Sequence, residues 1–217
     1  MSTFKNADGK AVLLTMVKAI QKNKAYLGEV DGLIGDGDHG MNMNKGFTLF
    51  ETRFAQREFT FAEGLYELGN ILFSEIGGSM GPIYGTIFMD AGDAGEGLHE
   101  ITLNDLTEML AAGLSGLQEI VDAKVGDKTL VDTLSPAVDA LRTGVKEGME
   151  FAPALEKMKA AASAGRDSTK ELMAKFGRSS RLGERSRGVL DAGAVSCCII
   201  LTAMADGIME ILKRGSI

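Results

Sequence analysis

The sequence predicts an all-helical protein, a bundle of about eight antiparallel helices. Three observations point that way. Apolar residues recur at helical spacing along most of the 217 residues. Strand signals are weak, with no tryptophan and only short β-branched runs. The breaks between apolar stripes are mostly short and carry glycine, as connections between antiparallel helical neighbours do.

Each helix has its own stripe. The first is Val12, Leu13, Met16, Val17 and Ile20, and the second Phe47, Phe50 and Phe54. The third runs Phe61, Leu65, Leu68, Leu72 and Ile76; a shorter fourth has Ile83, Ile87 and Phe88. The fifth begins at Thr102, whose hydroxyl can cap the helix with Asp105 three residues on, and continues through Leu106, Met109, Leu110, Leu117 and Ile120. Leu134, Val138, Leu141 and Val145 form the sixth. The seventh has Pro153 near its first turn and runs through Leu155 and Met158 to Leu172 and Phe176. The last, from Ala194 to Leu212, is apolar on most sides and is expected to be the most buried. No linker or internal repeat interrupts this series, so residues 1–217 read as a single domain. The 12 methionines read as core filler, because Met packs irregular gaps.

Composition narrows the function. The chain is 45% hydrophobic and 24% charged, with ample material for a core. Its net charge of −7 argues against general binding to nucleic acid or an anionic membrane. No apolar stretch reaches the roughly 20 residues of a membrane span, and MSTFKNADGK at the N-terminus lacks the apolar region of a signal peptide. Cys197 and Cys198 are adjacent and no Cys-x-x-Cys pair exists, so a reducing, cytoplasmic location is expected. One segment runs against the overall charge: Lys175 to Arg187 carries five basic residues and one acid, which points to an anion or an acidic partner.

Four segments are rich in Gly, Ser, Asp and Arg: 31–46, 77–85, 126–133 and 177–193. They follow the first, third, fifth and seventh predicted helices. Odd-numbered connections of an antiparallel bundle lie at one end, so these four should meet there. The first brings Asp31, Asp36 and Asp38 together among Gly32, Gly35 and Gly37. The spacing is not that of a calcium-binding EF-hand, and hard carboxylate oxygens without cysteine suit Mg²⁺ or Mn²⁺. Three aspartates can hold two such ions and leave positions for phosphoryl oxygens; taken alone, a solvated Asp/Gly turn explains them as well. His39-Gly40-Met41-Asn42 falls at the start of a helix, where backbone N–H groups favour an anion. Gly77-Gly78-Ser79-Met80-Gly81 precedes another helix and permits close backbone approach, without the Gly-Lys-Ser/Thr ending of a Walker loop. In Gly126-Asp127-Lys128-Thr129-Leu130, Asp127 or Thr129 can cap the next helix, and Asp191 can cap the last. Carboxylates for metal, helix starts and Arg178 for phosphate, and glycines for access read together as a site for magnesium and a nucleotide polyphosphate.

The stretches IGDGDHGMNMNKGF, GGSMGPIYGT, GDKTLVDTLSPA and GRSSRLGERSRG followed by DAGA resemble the DhaL-type domain family, the nucleotide (ADP)-binding subunits of dihydroxyacetone kinase. They recur in family order and spacing over residues 31–194. The resemblance implies a closed barrel of eight antiparallel helices with nucleotide at one end. It implies that Asp31, Asp36 and Asp38 hold two Mg²⁺ ions on ADP or ATP. His39, Gly40, Met41 and Asn42 fall at phosphate-side positions, and Gly78, Ser79 and Met80 in the glycine-rich phosphate loop. Thr129 and Leu130 fall against adenine, and Arg178 with Asp191, Ala192 and Gly193 in the segment closing over base and ribose. Two departures stand out. The usual Gly-Gly-Ala-Ser-Gly reads Gly-Gly-Ser-Met-Gly, so Met80 offers no side-chain donor, and the usual Asp-Pro-Gly reads Asp191-Ala192-Gly193.

The activity implied is phosphoryl transfer to dihydroxyacetone or a similar short ketose, such as a tetrulose, held covalently through a histidine of a separate substrate-binding subunit. No residue of this chain is expected to act as acid or base. The donor is either free ATP or a phosphohistidine protein of the sugar phosphotransferase system, and a homodimer is a further expectation. Neither nucleic acid nor membrane is an expected partner. Two other readings are a non-catalytic nucleotide-binding regulatory module and a metal-dependent phosphohydrolase.

Overall fold

The structure, a computed structural model, describes residues 2–215. Its helices are α1 (Lys10–Lys22), α2 (Lys24–Ile34), α3 (His39–Phe54), α4 (Phe61–Glu75), α5 (Met80–Ala94), α6 (Leu103–Ile120), α7 (Val131–Lys146), α8 (Phe151–Ser168) and α9 (Ala192–Gly215). They form a closed ring. The α1/α2 pair packs on α3, each later helix packs on the next, and α9 returns to α1. The expected all-helical barrel is the fold.

The count differs from expectation at one place. The first predicted stripe, Val12 to Ile20, is α1; a further helix that no predicted stripe covered, α2, follows it after the single residue Asn23 and buries Leu27, Val30 and Ile34. The Asn23 side-chain amide donates to the Ala19 carbonyl oxygen at 2.8 Å, competing for the ladder and bending it. Backbone bonding still runs through the bend, from Asn23 N–H to Ala19 O at 3.2 Å and from Leu27 N–H to Asn23 O at 2.9 Å. The pair therefore takes one place in the ring, and the barrel keeps eight positions.

The apolar stripes face inward. Val12, Leu13, Met16, Val17 and Ile20 are fully buried, as are Phe47, Phe50, Phe61, Leu68 and Leu141. Met16, Met43, Met109, Met158 and Met204 sit in this core, as core filler should. Three stripe members break the pattern. Ile120, the last residue of α6, is exposed, and Leu172 and Phe176 lie past α8, which ends at Ser168 instead of continuing. Helix α9 corrects one sequence reading: with mean hydropathy 1.8 over an 18-residue window, it is long and apolar enough to cross a membrane. Its packing against α1, α7 and α8 accounts for that apolarity.

The starts of α4, α6 and α8 lie at the end of the barrel away from the four polar connections. There Thr60 and Glu63, and Thr102 and Asp105, form reciprocal capping boxes on α4 and α6. A two-residue ladder, β1 (Phe4–Lys5) with β2 (Glu100–Ile101), adds the only strands among the described residues. It carries the buried Phe4 ring against Phe61 and Phe151, at centroid distances of 5.5 and 6.1 Å. At the opposite end the connections are 35–38, 76–79, 121–130 and 169–191. The first two are tighter than the polar segments that announced them, because residues from His39 and Met80 onward are already helical, whereas the third begins five residues earlier, where α6 ends at Ile120.

Candidate functional site

Asp31 occupies the last turn of α2, and Asp36 and Asp38 the connection to α3. Gly35 makes this crowding feasible. A Cβ there would lie 2.3 Å from Asp31 Oδ1, so only glycine lets the chain fold back over that carboxylate. One ligand oxygen from each of the three aspartates lies within 4.8 Å of the others. Arg178 Nη1 donates to Asp36 Oδ2 at 2.6 Å, and His39 N–H donates to Asp31 Oδ2 at 3.3 Å. Asp38 bonds the Asn42 side chain; burial, then the charges of Asp36 and Asp31, hold its carboxyl above the ordinary range. Oxygens around an octahedral Mg²⁺ stand about 3 to 4 Å apart, and two-metal sites place their ions about 3.5 to 4 Å apart. The triad's spacing, its hard donors and its excess of negative charge fit such ions.

Beside the triad is a cavity of about 350 Å³ onto which α3, α5, α7 and α9 all begin, so four helix N-termini converge on it. Their caps differ. Asp191 Oδ2 accepts from Ala194 N–H at 2.8 Å, capping α9 as the sequence allowed. On α7, Thr129 Oγ1 accepts from Val131 N–H at 3.2 Å. Asp127 instead accepts from Lys124 N–H at 2.8 Å and pairs with Lys175 at 2.5 Å. Helix α5 has no side-chain cap at Ser79. Ser79 and Met80 at this uncapped start line the cavity, and the first N–H groups of a helix lack intrahelical partners, the arrangement that receives an anion. A second part of the lining is apolar: Ile83, Val121, Leu130 and Phe176.

Three buried polar groups back the cavity. Lys128 is 1% exposed in a left-handed conformation (φ 63°), and its ammonium donates to the Thr169 and Val189 carbonyl oxygens. This ties the 121–130 connection to the segment before α9; burial lowers the ammonium's pKa. Burial pushes Asp191 up to about 6. Burial also takes His39 down to about 4, so its imidazole is neutral at physiological pH. His39 Nε2 lies 2.8 Å from Ser196 Oγ.

Asp31, Asp36, Asp38 and His39 line the cavity together with Ser79, Met80, Thr129 and Leu130, and with Arg178, Asp191, Ala192 and Gly193. Four other expected residues stand apart from that lining. Gly40 is buried against α2, where a Cβ would lie 2.1 Å from the Lys24 carbonyl oxygen; its lack of a side chain serves helix packing. Met41 is 60% exposed. Asn42 reaches Asp38 rather than the cavity, and Gly78 holds the left-handed turn (φ 73°) before α5. Sequence reasoning missed Lys128, Tyr84 and Ser196 as polar members. Lys128 stood inside a quoted loop, whereas Tyr84 and Ser196 sit on apolar helices with no local signal.

With this geometry, the comparisons with known proteins are decisive. A family model described as the DAK2 domain matches residues 33–206. The chain belongs to the DAK2 domain family. Among curated relatives is the "PEP-dependent dihydroxyacetone kinase, ADP-binding subunit DhaL" of Escherichia coli (strain K12). It is 36% identical over 183 residues, 83% of this chain and 86% of that one. The "PTS-dependent dihydroxyacetone kinase, ADP-binding subunit DhaL" of Lactococcus lactis subsp. lactis (strain IL1403) is 38% identical over 190 residues, 86% of this chain and 90% of that one. Among solved structures, the dihydroxyacetone kinase from C. freundii in complex with AMP-PNP and Mg²⁺ shares the fold at a TM-score of 0.71 and 22% identity. The match covers 95% of this chain and 35% of the C. freundii chain, so the DAK2 barrel here corresponds to about a third of that polypeptide.

Proposed function

We propose that this chain, acting as a single DhaL-type domain, is the nucleotide-carrying subunit of a short-ketose kinase. It binds ADP or ATP with two Mg²⁺ and passes the phosphoryl group to dihydroxyacetone, or a similar short ketose, held on a partner subunit. One observation carries the reading: a carboxylate triad and the uncapped N-terminus of α5 share one cavity. Carboxylates repel a polyphosphate and N-termini attract it, so a site offering both is suited to a polyphosphate bound with its cations. The DhaL relatives are named as ADP-binding subunits.

When bound, Mg²⁺ would neutralise polyphosphate charge and fix phosphoryl oxygens. Asp31, Asp36 and Asp38 would be its ligands, not bases. The N–H groups opening α5 stabilise charge on the phosphate, neutral His39 adds a hydrogen bond, and Leu130 with Val121 and Phe176 encloses the apolar base. Arg178, from the basic 175–187 segment, closes over the nucleotide. Catalysis is then mostly positioning and electrostatics. Leu33, Met41, Phe73, Val125 and Phe176 are exposed at this same end of the barrel, which fits docking of the substrate-bearing subunit there. The names PEP-dependent and PTS-dependent favour a phosphohistidine donor protein over free ATP. A cytoplasmic location and a homodimer complete the proposal.

The test is reconstitution. The purified chain is denatured and its released nucleotide identified; then ATP and a phosphorylated donor protein are each supplied with candidate ketoses and the partner subunit. Phosphorylated ketose is expected only when both subunits are present. Hydrolysis of phosphoesters by the chain alone would instead make it a phosphohydrolase. Nucleotide retention without transfer would make it a binding module.

A further inference from the structure

We infer that Tyr84 and Ser196 are positioning residues, forming a buried hydroxyl chain that fixes which nitrogen of His39 carries the proton. The inference rests on the nucleotide reading for its purpose but not for its geometry. Tyr84 Oη lies 2.6 Å from Ser196 Oγ, and Ser196 Oγ lies 2.8 Å from His39 Nε2. Ser196 is wholly buried and Tyr84 nearly so. The three residues come from α5, α9 and α3, so the chain joins three of the four helices that begin at the cavity.

Proton direction follows from the chemistry of the ends. A phenol is the strongest hydroxyl donor of the set, and a neutral imidazole nitrogen is its strongest acceptor. Both hydroxyls also lie 3.1 Å from the Gly193 carbonyl oxygen. That carbonyl is in the first turn of α9, where the helical ladder serves it, and both contacts are longer than the chain itself. The Tyr84 proton therefore goes to Ser196 Oγ, and the Ser196 proton to His39 Nε2. The His39 proton is then on Nδ1. Among the described residues, every buried side-chain nitrogen or oxygen has a hydrogen-bond partner. No protein partner meets Nδ1, so it opens on the cavity that His39 lines. The chain thus presents an N–H donor where a phosphate oxygen would lie. With the opposite tautomer, Nδ1 would present a lone pair to that oxygen and repel it.

The chain has two histidines, His39 and His99, so imidazole nitrogen NMR on the ¹⁵N-labelled full chain at about pH 8, where an ordinary imidazole is already neutral, can read the tautomer directly, in EDTA and without nucleotide. His39 is expected as a single neutral tautomer protonated at Nδ1. Ser196→Ala should remove that preference. Tyr84→Phe, which keeps the ring and removes one oxygen, should shift the Nε2 resonance. Mg-ADP affinity should fall about three- to tenfold in Ser196→Ala, the loss of one oriented hydrogen bond. A wild-type protein protonated at Nε2, or a tautomer unchanged in both variants, overturns the inference. Failure of the wild type to bind Mg-ADP would overturn the nucleotide reading while leaving the tautomer result standing.

Discussion

Removing the charge of Asp38 should have opposite effects on the bare protein and on its magnesium–nucleotide complex. In the bare protein, Asp38 stands with Asp31 and Asp36, their ligand oxygens within 4.8 Å of one another. Two unit charges at that distance repel by about 1 kcal/mol in water and about 3.5 kcal/mol at an effective dielectric near 20. Arg178 offsets part of the Asp36 term. Asp38→Asn keeps the shape and an acceptor for Asn42, so it should stabilise the bare protein by about 1 to 3 kcal/mol. For a chain of this size that raises Tm by about 2 to 12 °C. The same change replaces an anionic magnesium ligand by a neutral one. A nucleotide complex at 100 times its Kd adds about 2.7 kcal/mol to the wild type, and the variant should lose most of it. The assay is thermal unfolding of both proteins, once in EDTA and once with Mg²⁺ and ADP. An Asp38→Asn protein that melts lower than wild type in EDTA, or that keeps the full upward shift with Mg²⁺ and ADP, would refute the reasoning.

Other expectations follow from single contacts. Gly40→Ala places a Cβ 2.1 Å from the Lys24 carbonyl oxygen, so α3 must move away from α2. A loss of about 1 to 3 kcal/mol is expected, measurable as a lower urea midpoint, and an unchanged midpoint would contradict it. Lys128→Met leaves the buried Thr169 carbonyl and the part-buried Val189 carbonyl without their shared donor. It should cost about 1 to 3 kcal/mol and speed amide exchange over residues 170–191, which mass spectrometry of deuterated peptides can localise. Asp191 has its pKa raised from 3.8 to about 6. Burying its neutral form is therefore favourable relative to its charged form. That stability is complete below the unfolded value of 3.8 and is lost as pH rises to about 6, in all about 3 kcal/mol. Asp191→Asn stays neutral, so its stability relative to wild type should rise between pH 4 and pH 7 in the absence of ligand. A difference that is flat across this range would show that Asp191 is not buried as a reluctant anion.

Much of the fold was legible because the core stripes are regular. Val12 to Ile20 and Phe61 to Ile76 gave helical periods that the barrel buries without exception. Thr102 with Asp105 gave a helix start that the structure caps as expected. Helix α2 was missed as an element of its own because nothing in the sequence marks a helix end at Asn23: one side-chain amide bends a ladder that otherwise continues. The end of α8 was missed because Leu172 and Phe176 keep an apolar spacing after the helix stops at Ser168. The site divides similarly. Asp31, Asp36 and Asp38 were visible because carboxylates and glycines crowd in sequence as they do in space. Helix parity brought four distant connections to one end, and it survives the extra helix because α1 and α2 share one position in the ring. Gly40 and Met41 stand outside the cavity lining, since Gly40 packs against α2 and Met41 is exposed. Tyr84 and Ser196 were hidden because an apolar helix gives no local signal for one hydroxyl turned to a buried histidine on another helix.

Native mass spectrometry of the purified chain incubated with Mg²⁺ and ADP tests the magnesium–nucleotide site most directly. The expected spectrum shows the protein carrying one ADP and two Mg²⁺, an adduct that disappears in EDTA and fails to form in Asp36→Ala. A bare protein mass under the same conditions, or ADP retained equally in EDTA and by Asp36→Ala, would contradict a nucleotide site built on the three aspartates.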